Sequence, residues 1–240
     1  MEAPQVEKQG EIGAGPPTAA RLGRALGGRL PVRGQRIGLL GGSFNPAHGG
    51  HRHISLEALK RLQLDEVWWL VSPQNPLKPR DGMASFAERA ASARTIAGRH
   101  QRLRVTALES ALGTRYTRDT LRALAQRFPG VRFVWLMGAD NLGQFHRWAG
   151  WTEIFHTFPV AVLDRPSYSI WTGAAKAAHR FRQARVPDRE AGRLAAKEPP
   201  AWVFLRQPRD PRSATAIRAQ KAKDEGAPCH TPKWSETPRS

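Results

Sequence analysis

The stretch Gly41-Gly42-Ser43-Phe44-Asn45-Pro46-Ala47-His48-Gly49-Gly50-His51 gathers residue types suited to anion chemistry. Paired glycines let a backbone approach a ligand closely, and a helix starting just beyond them offers free amides to phosphate. His48 and His51 stand three apart, so on a first helical turn both rings project from one side toward the same anion. Imidazoles that donate to phosphate oxygens follow charge as it develops in a transition state. Two other readings compete: a Gly-rich turn with solvent-facing histidines, and a metal site drawing on His48, His51 and His53. No nearby carboxylate or thiolate completes a ligand set for the metal. The turn is not a nucleotide P-loop, since no Gly-Lys-Ser/Thr follows, and it lacks the third glycine of a dinucleotide fingerprint.

A second group lies far along the chain, in Arg212-Ser213-Ala214-Thr215-Ala216-Ile217-Arg218. Ser213 suits an N-cap, the amides beyond it suit a phosphate, and Arg218 offers a planar cationic fork. Taken alone, this is a capped basic helix.

The elements that must position these groups follow from periodicity. Arg36–Leu40 is a short apolar run suited to a buried parallel strand. His51–Leu62 repeats apolar residues at helical spacing, and Glu66–Val71 is a second buried strand, which completes a βαβ unit. The alternation continues through a helix at Phe86–Arg99 and a strand at Leu103–Leu108. A helix at Tyr116–Phe128 follows, with Thr117 as its N-cap, and then a strand at Val131–Met137 that ends at Gly138. Trp151–Phe155 reads as a short helix, Pro159–Leu163 and Trp202–Leu205 as strands, and Ser213 opens a last helix. The pattern predicts one α/β domain over 35–222: a doubly wound, mostly parallel Rossmann-like sheet with helices on both faces. Residues 1–34 read as a flexible N-terminal extension in which Ala19–Leu26 forms one short helical turn. Residues 171–200 read as an insertion with some helix, and 223–240 as a flexible tail. In such sheets ligands bind beyond the carboxyl ends of the strands, which is where the unusual residues fall.

The first group resembles the signature of the nucleotidyltransferase superfamily, Asn/Asp-Pro-x-His-x-Gly-His after a Gly-rich turn, with His48, Gly50 and His51 at the fixed positions. The second is similar to its companion Ile-Ser-Ser-Thr-x-Ile-Arg, matched by Ser213, Thr215 and Arg218. Two further segments resemble the nicotinate mononucleotide adenylyltransferases: Thr114-Arg115-Tyr116-Thr117-Arg118-Asp119-Thr120-Leu121, and Gly138-Ala139-Asp140-Asn141-Leu142 followed by Trp148. Ser72-Pro73-Gln74-Asn75-Pro76-Leu77-Lys78 matches in general shape. The likeness spans about 36–222; Ala47 replaces a proline common in the family and Arg212 an apolar residue, neither of them a catalytic position.

The resemblance implies transfer of AMP from ATP to nicotinate mononucleotide, giving deamido-NAD and pyrophosphate. It assigns His48, His51 and Arg218 to catalysis on the ATP phosphates. Gly41, Gly42, Ser43, Phe44, Gly50, Gly138, Ser213 and Thr215 fall to ATP binding. The mononucleotide falls to Lys78, Tyr116, Thr117, Asp140 and Trp148. A nicotinate ring suits the face of Trp148 and its carboxylate suits donors such as the Thr117 hydroxyl, although Trp148 also suits a core aromatic and Asp140 a helix cap. Magnesium enters with ATP, and no residue is assigned to a protein-held metal. Nicotinamide mononucleotide or phosphopantetheine remains open as the acceptor.

Composition sets the outer limits. The 240 residues carry 38 Lys+Arg against 20 Asp+Glu, net +18, with 40% hydrophobic residues. That is enough for a core and calls for an anionic partner. A basic RNA-binding module is the alternative from another class; the absence of a Lys-Met-Ser-Lys-Ser-like loop and of an anticodon domain argues against nucleic acid. Cys229, the single cysteine, excludes an intrachain disulfide and a Cys-based zinc site. No apolar run approaches the roughly 20 residues of a membrane span, and none follows the polar Met1–Gly10 as a signal sequence requires. The expectation is a cytoplasmic protein, with monomer and oligomer both open.

Overall fold

A computed structural model describes residues 18–73, 83–164 and 175–206. Its centre is a seven-stranded sheet: β1 (Arg36–Gly42), β2 (Glu66–Val71), β3 (Leu103–Thr106), β4 (Arg132–Gly138), β5 (Val160–Leu163), β6 (Arg185–Val186) and β7 (Trp202–Leu205), in the order β3-β2-β1-β4-β5-β7-β6. Every pairing is parallel. The α/β class with helices on both faces is therefore as the sequence predicts.

Side chains alternate across the pleat, and that period of two builds two cores. Ile37, Leu39, Trp68, Leu70, Phe133, Trp135, Val160, Val162, Trp202 and Phe204 face one layer. That layer holds α1 (Ala19–Ala25), α4 (Leu108–Leu112), α5 (Thr117–Arg127), α6 (Ala139–Gln144), α7 (Trp151–Thr157) and α8 (Lys176–Arg180). Leu40, Val67, Trp69, Val71, Val134, Leu136, Ala161, Leu163, Val203 and Leu205 face the other. It holds α2 (Gly49–Arg61), α3 (Phe86–Ala97) and a 3-10 helix at Asp188–Ala196. Strand order reverses at β1 and β4: β2 and β3 extend to one side of β1, and β5, β7 and β6 beyond β4 on the other.

The structure corrects the sequence reading in several places. The helical turn expected at Ala19–Leu26 is present as α1, docked on the main core rather than loose. Thr18 caps α1, and Leu22 and Leu26 are 3% and 2% exposed against the main core. Burying two leucines stabilises the docked helix by about 1.5–3 kcal/mol each. Arg21 donates to the Ser110 carbonyl at 2.9 Å, and Arg104 reaches back to the Leu26 and Arg29 carbonyls. Strand β3 stops at Thr106, and Leu108–Leu112 turns into α4, which ends at Gly113 in the left-handed conformation. Thr117 is the first helical residue of α5; its N-cap is Tyr116, with no side-chain cap bond. Within the expected insertion, the two-residue β6 forms the sheet edge beyond β7. Short and basic, it carries no apolar run to announce it. The 3-10 helix after it packs Ala191, Leu194 and Ala195 into the second core.

Candidate active site

Leu40 pairs with Leu136, so Gly42 and Gly138 each lie two residues further on, at the same carboxyl edge of the sheet. This is where the strand order reverses, the place at which ligands bind in sheets of this kind. From β1 the chain enters the Gly-rich turn and then α2; from β4 it enters α6 directly.

At the start of α2 the two histidines cap one another. The His48 Nδ1 accepts from the Gly50 amide at 3.1 Å, and the His51 Nδ1 accepts from the His48 amide at 3.2 Å. Both are orphan donors of a helix start, so the rings replace the usual Ser or Asp cap. Acceptance at Nδ1 leaves the proton of each neutral ring on Nε2, so each presents an N–H donor on its far side. The rings lie 3.9 Å apart between centroids, with His48 only 3% exposed.

Beneath them the support is aromatic. Phe44 is 2% exposed, stacks on Trp69 at 5.1 Å and 8°, and meets His51 at 4.9 Å. The Phe44 ring thus underlies His51. Trp69 is anchored by its indole N–H to the Ser55 hydroxyl at 2.8 Å, and Ser55 donates to the His51 carbonyl at 2.8 Å. Gly41 has a core reason to be glycine: a Cβ there would meet Trp135 Cη2 at 2.4 Å. Gly42 would place its Cβ 3.3 Å from the Phe44 ring.

The ring side of the edge is built differently. Trp148 is half-buried, edge-on to Trp135 at 6.4 Å and tilted against Phe145 at 5.1 Å. Asp140 sits in the first turn of α6, after Gly138 as its N-cap. Tyr116 is 39% exposed at the start of α5, with the Arg115 guanidinium 5.9 Å from its ring centroid. The Thr114 and Thr120 hydroxyls bond at 2.7 Å, and the Thr120 hydroxyl also donates to the Tyr116 carbonyl. Trp135 joins the two sides, filling the space over Gly41 and receiving the edge of Trp148.

Lys78, Ser213, Thr215 and Arg218 lie outside the described residues. The histidines, Gly41–Phe44, Gly50, Gly138, Asp140, Tyr116, Thr117 and Trp148 belong to the loops and helix starts that follow β1, β3 and β4. Among the described residues no three His, Cys, Asp or Glu side chains converge in a way that would hold a metal ion. His48, His51 and His53 do not form such a group.

Two polar residues of this edge, Arg89 and Glu109, escape sequence reasoning. Arg89 of α3 is buried and donates to carbonyls at the exits of β1 and β2. Glu109 of α4 is 7% exposed; burial pushes its carboxyl up to about 7, against the pull of a hydrogen bond with Ser72. Ser72 itself donates its amide to the Gly42 carbonyl at 3.0 Å and carries the β1–β2 pairing one step further. The available signal for Arg89 is its place four and eight residues before Ala93 and Ala97, on the stripe that faces the core.

Residues 39–220 match the cytidylyltransferase-like family. A relative from Methylorubrum extorquens, named "Probable nicotinate-nucleotide adenylyltransferase", is 53% identical over 185 residues, which cover 77% of this chain and 100% of the relative. A protein of the same name from Cereibacter sphaeroides is 58% identical over 183 residues, or 76% of this chain and 96% of the relative. Among solved structures, nicotinic acid mononucleotide adenylyltransferase of Plasmodium falciparum, complexed with NaAD, superimposes with a TM-score of 0.55 at 15% identity. The match covers 79% of this chain and 83% of that one, and supports the fold. Among the described residues no helix is long and apolar enough to cross a membrane.

Proposed function

The chain belongs to the cytidylyltransferase-like family, and from that premise we propose that it transfers AMP from ATP to nicotinate mononucleotide, releasing pyrophosphate and deamido-NAD. The acceptor is that of the relatives' shared name, carried by proteins more than half identical over nearly their whole length. The shared name supports this acceptor over nicotinamide mononucleotide and phosphopantetheine.

The observation that carries the chemistry is the reciprocal cap of His48 and His51. The acceptor phosphate is already anionic at neutral pH, so no protein base is needed. One of its oxygens bonds to the α-phosphorus of ATP as the bond from that phosphorus to the β-phosphate oxygen breaks, and pyrophosphate leaves with the electron pair. The protein must align the two anions and disperse charge on the transferring group. Two Nε2–H donors, fixed by backbone at their other nitrogens, do this with little reorganisation. Magnesium arrives on the ATP phosphates as part of the substrate. Arg218, with the Ser213–Thr215 helix start, would add a second cationic grip, and Lys78 a mobile charge. Trp148 offers an aromatic face to the nicotinate ring, while the Thr117 hydroxyl and nearby amides offer donors to its carboxylate. We assign the protein to the cytoplasm on the same ground of substrate.

The test is purified protein with ATP, magnesium and each pyridine mononucleotide in turn, following pyrophosphate release. Release with nicotinate mononucleotide well above that with nicotinamide mononucleotide is expected; equal rates, or none, would overturn the assignment.

A further inference from the structure

We propose that Arg89 is a positioning residue for adenylyl transfer: it ties the main chain at the exits of β1 and β2 together and so fixes the turn that aims His48 and His51. The kinetic half of this inference rests on the reaction proposed above; the structural half does not.

Arg89 lies in the first turn of α3 and is 2% exposed. Its Nη1 donates to the Ser43 carbonyl at 2.7 Å and the Ser72 carbonyl at 2.8 Å. Its Nη2 donates to the Pro73 carbonyl at 2.9 Å, and its Nε to the Ala84 carbonyl at 3.0 Å. The Phe86 ring sits 5.8 Å from the guanidinium carbon. All four of these acceptors are main-chain carbonyls, drawn from three separate segments. Burial lowers the pKa of this guanidinium, but arginine stays charged inside proteins, so its donors remain available. A flat fork of fixed geometry imposes one arrangement on the three segments; a lysine, a single point of charge, cannot.

The segment it holds needs holding. Phe44 follows Ser43 directly and has φ +48°, a left-handed conformation that costs a bulky residue on the order of 1 kcal/mol or more. Such a residue persists only where its surroundings over-determine it. Arg89 fixes the peptide on its N-terminal side, Trp69 stacks on its ring, and Asn45 Oδ1 accepts from the Ala84 amide at 3.3 Å on its C-terminal side. The same Phe44 ring supports His51. Loss of the guanidinium therefore reaches the imidazole through Ser43, Phe44 and one aromatic contact, without Arg89 touching substrate.

The experiment compares wild type, Arg89→Lys and Arg89→Ala, the last with and without added methylguanidinium, in pyrophosphate release and in amide hydrogen exchange. Arg89→Ala is expected to melt cooperatively, to exchange faster at the amides of 42–45, 47–51 and Ser72 with β5 unchanged, and to turn over about ten- to hundredfold more slowly, the scale of a small misplacement near the chemistry. Methylguanidinium should restore part of the rate, and Arg89→Lys should remain well below wild type. A folded Arg89→Ala with wild-type turnover overturns the proposal. So does a loss that comes with uniformly faster exchange across the sheet and no methylguanidinium rescue. Should Arg89→Ala fail to fold, Arg89→Lys decides: wild-type turnover and exchange in that variant overturn the proposal, and slow turnover with faster exchange confined to the two exits supports it. Absence of adenylyl transfer in the wild type would retire the reaction while leaving the exchange comparison to judge the tether.

Discussion

The turn between β1 and α2 and the segment between β4 and Trp148 share one edge of the sheet but are held by different forces. On the first side nearly every named group is fixed by main chain: the histidines by amides, Arg89 by carbonyls, and Ser72 by the Gly42 carbonyl. On the second side the groups are the partly exposed aromatics Tyr116 and Trp148 and the hydroxyl of Thr114, which bonds to the buried Thr120. A triphosphate has the same charge and shape in every turnover, so rigid donors suit it and cost no reorganisation. A flat ring with one small polar substituent is better met by an aromatic face and adaptable hydroxyls. The contrast predicts that changes on the first side act on rate, and changes on the second on affinity.

The largest expected effect tests the rigid side. His51→Ala removes one oriented donor and the cap on the His48 amide together, and should lower kcat by about a hundredfold or more, the scale for losing one preorganised stabiliser. The Michaelis constant for the mononucleotide should change far less. Near-normal turnover by pyrophosphate release would remove His51 from the mechanism and with it the contrast.

Glu109 sits on the seam, its carboxyl toward Ser72 and its helix α4 packed between α1 and α5. Its folded pKa, about 7, lies above the ordinary 4.5, so between those values the folded state holds a proton that the unfolded chain has lost. Stability should therefore fall as pH rises from about 4.5 to 7 and level off above, by at most about 3 kcal/mol. Glu109→Gln, neutral at every pH, should flatten that fall and exceed wild type in melting temperature at pH 8. A wild-type curve already flat over this range would mean that water reaches the seam.

These cases also mark how far the sequence can be read. Residues 36–40, 66–71 and 131–137 are legible as buried strands because parallel strands covered on both faces are apolar almost throughout. The histidine pair was legible because its spacing matches one helical turn. Other features were hidden. In Leu22 and Leu26 the apolar signal is two residues in a Gly- and Arg-rich stretch, and their burial depends on α4, which no local pattern announces. The reciprocal cap was hidden because histidine is not a usual N-cap, and the tether because an arginine among alanines reads as a solvated face. Gly41 reads as a glycine that lets the backbone approach a ligand, and no local pattern shows that Trp135, far away in sequence, also fills the place of its side chain.

That last point gives the next prediction. Gly41→Ala should destabilise by about 1–3 kcal/mol, the usual cost of forcing a carbon into a packed core, since the nearest obstacle is an indole carbon at 2.4 Å. Pairing it with Trp135→Phe should recover part of the loss in melting temperature. If Gly41→Ala instead leaves stability intact and raises the Michaelis constant for ATP, the glycine serves the ligand directly and the rigid side is less buttressed than the packing implies.

The smallest effect belongs to the adaptable side. Trp148 has Phe145 and Trp135 against part of its ring and remains half-exposed, so Trp148→Ala removes a stacking surface without opening a closed core. Stacking a flat ring on an aromatic side chain contributes about 1–3 kcal/mol. The apparent Michaelis constant for the mononucleotide should therefore rise about tenfold, with kcat and the constant for ATP nearly unchanged, and Trp148→Phe should recover most of the difference. An effect confined to ATP would contradict the ring assignment. A large drop in kcat would be more instructive still: Trp148 meets Trp135, which packs over Gly41, and such a drop would mean that this one indole couples the two sides tightly enough for a recognition residue to set the alignment of the phosphates.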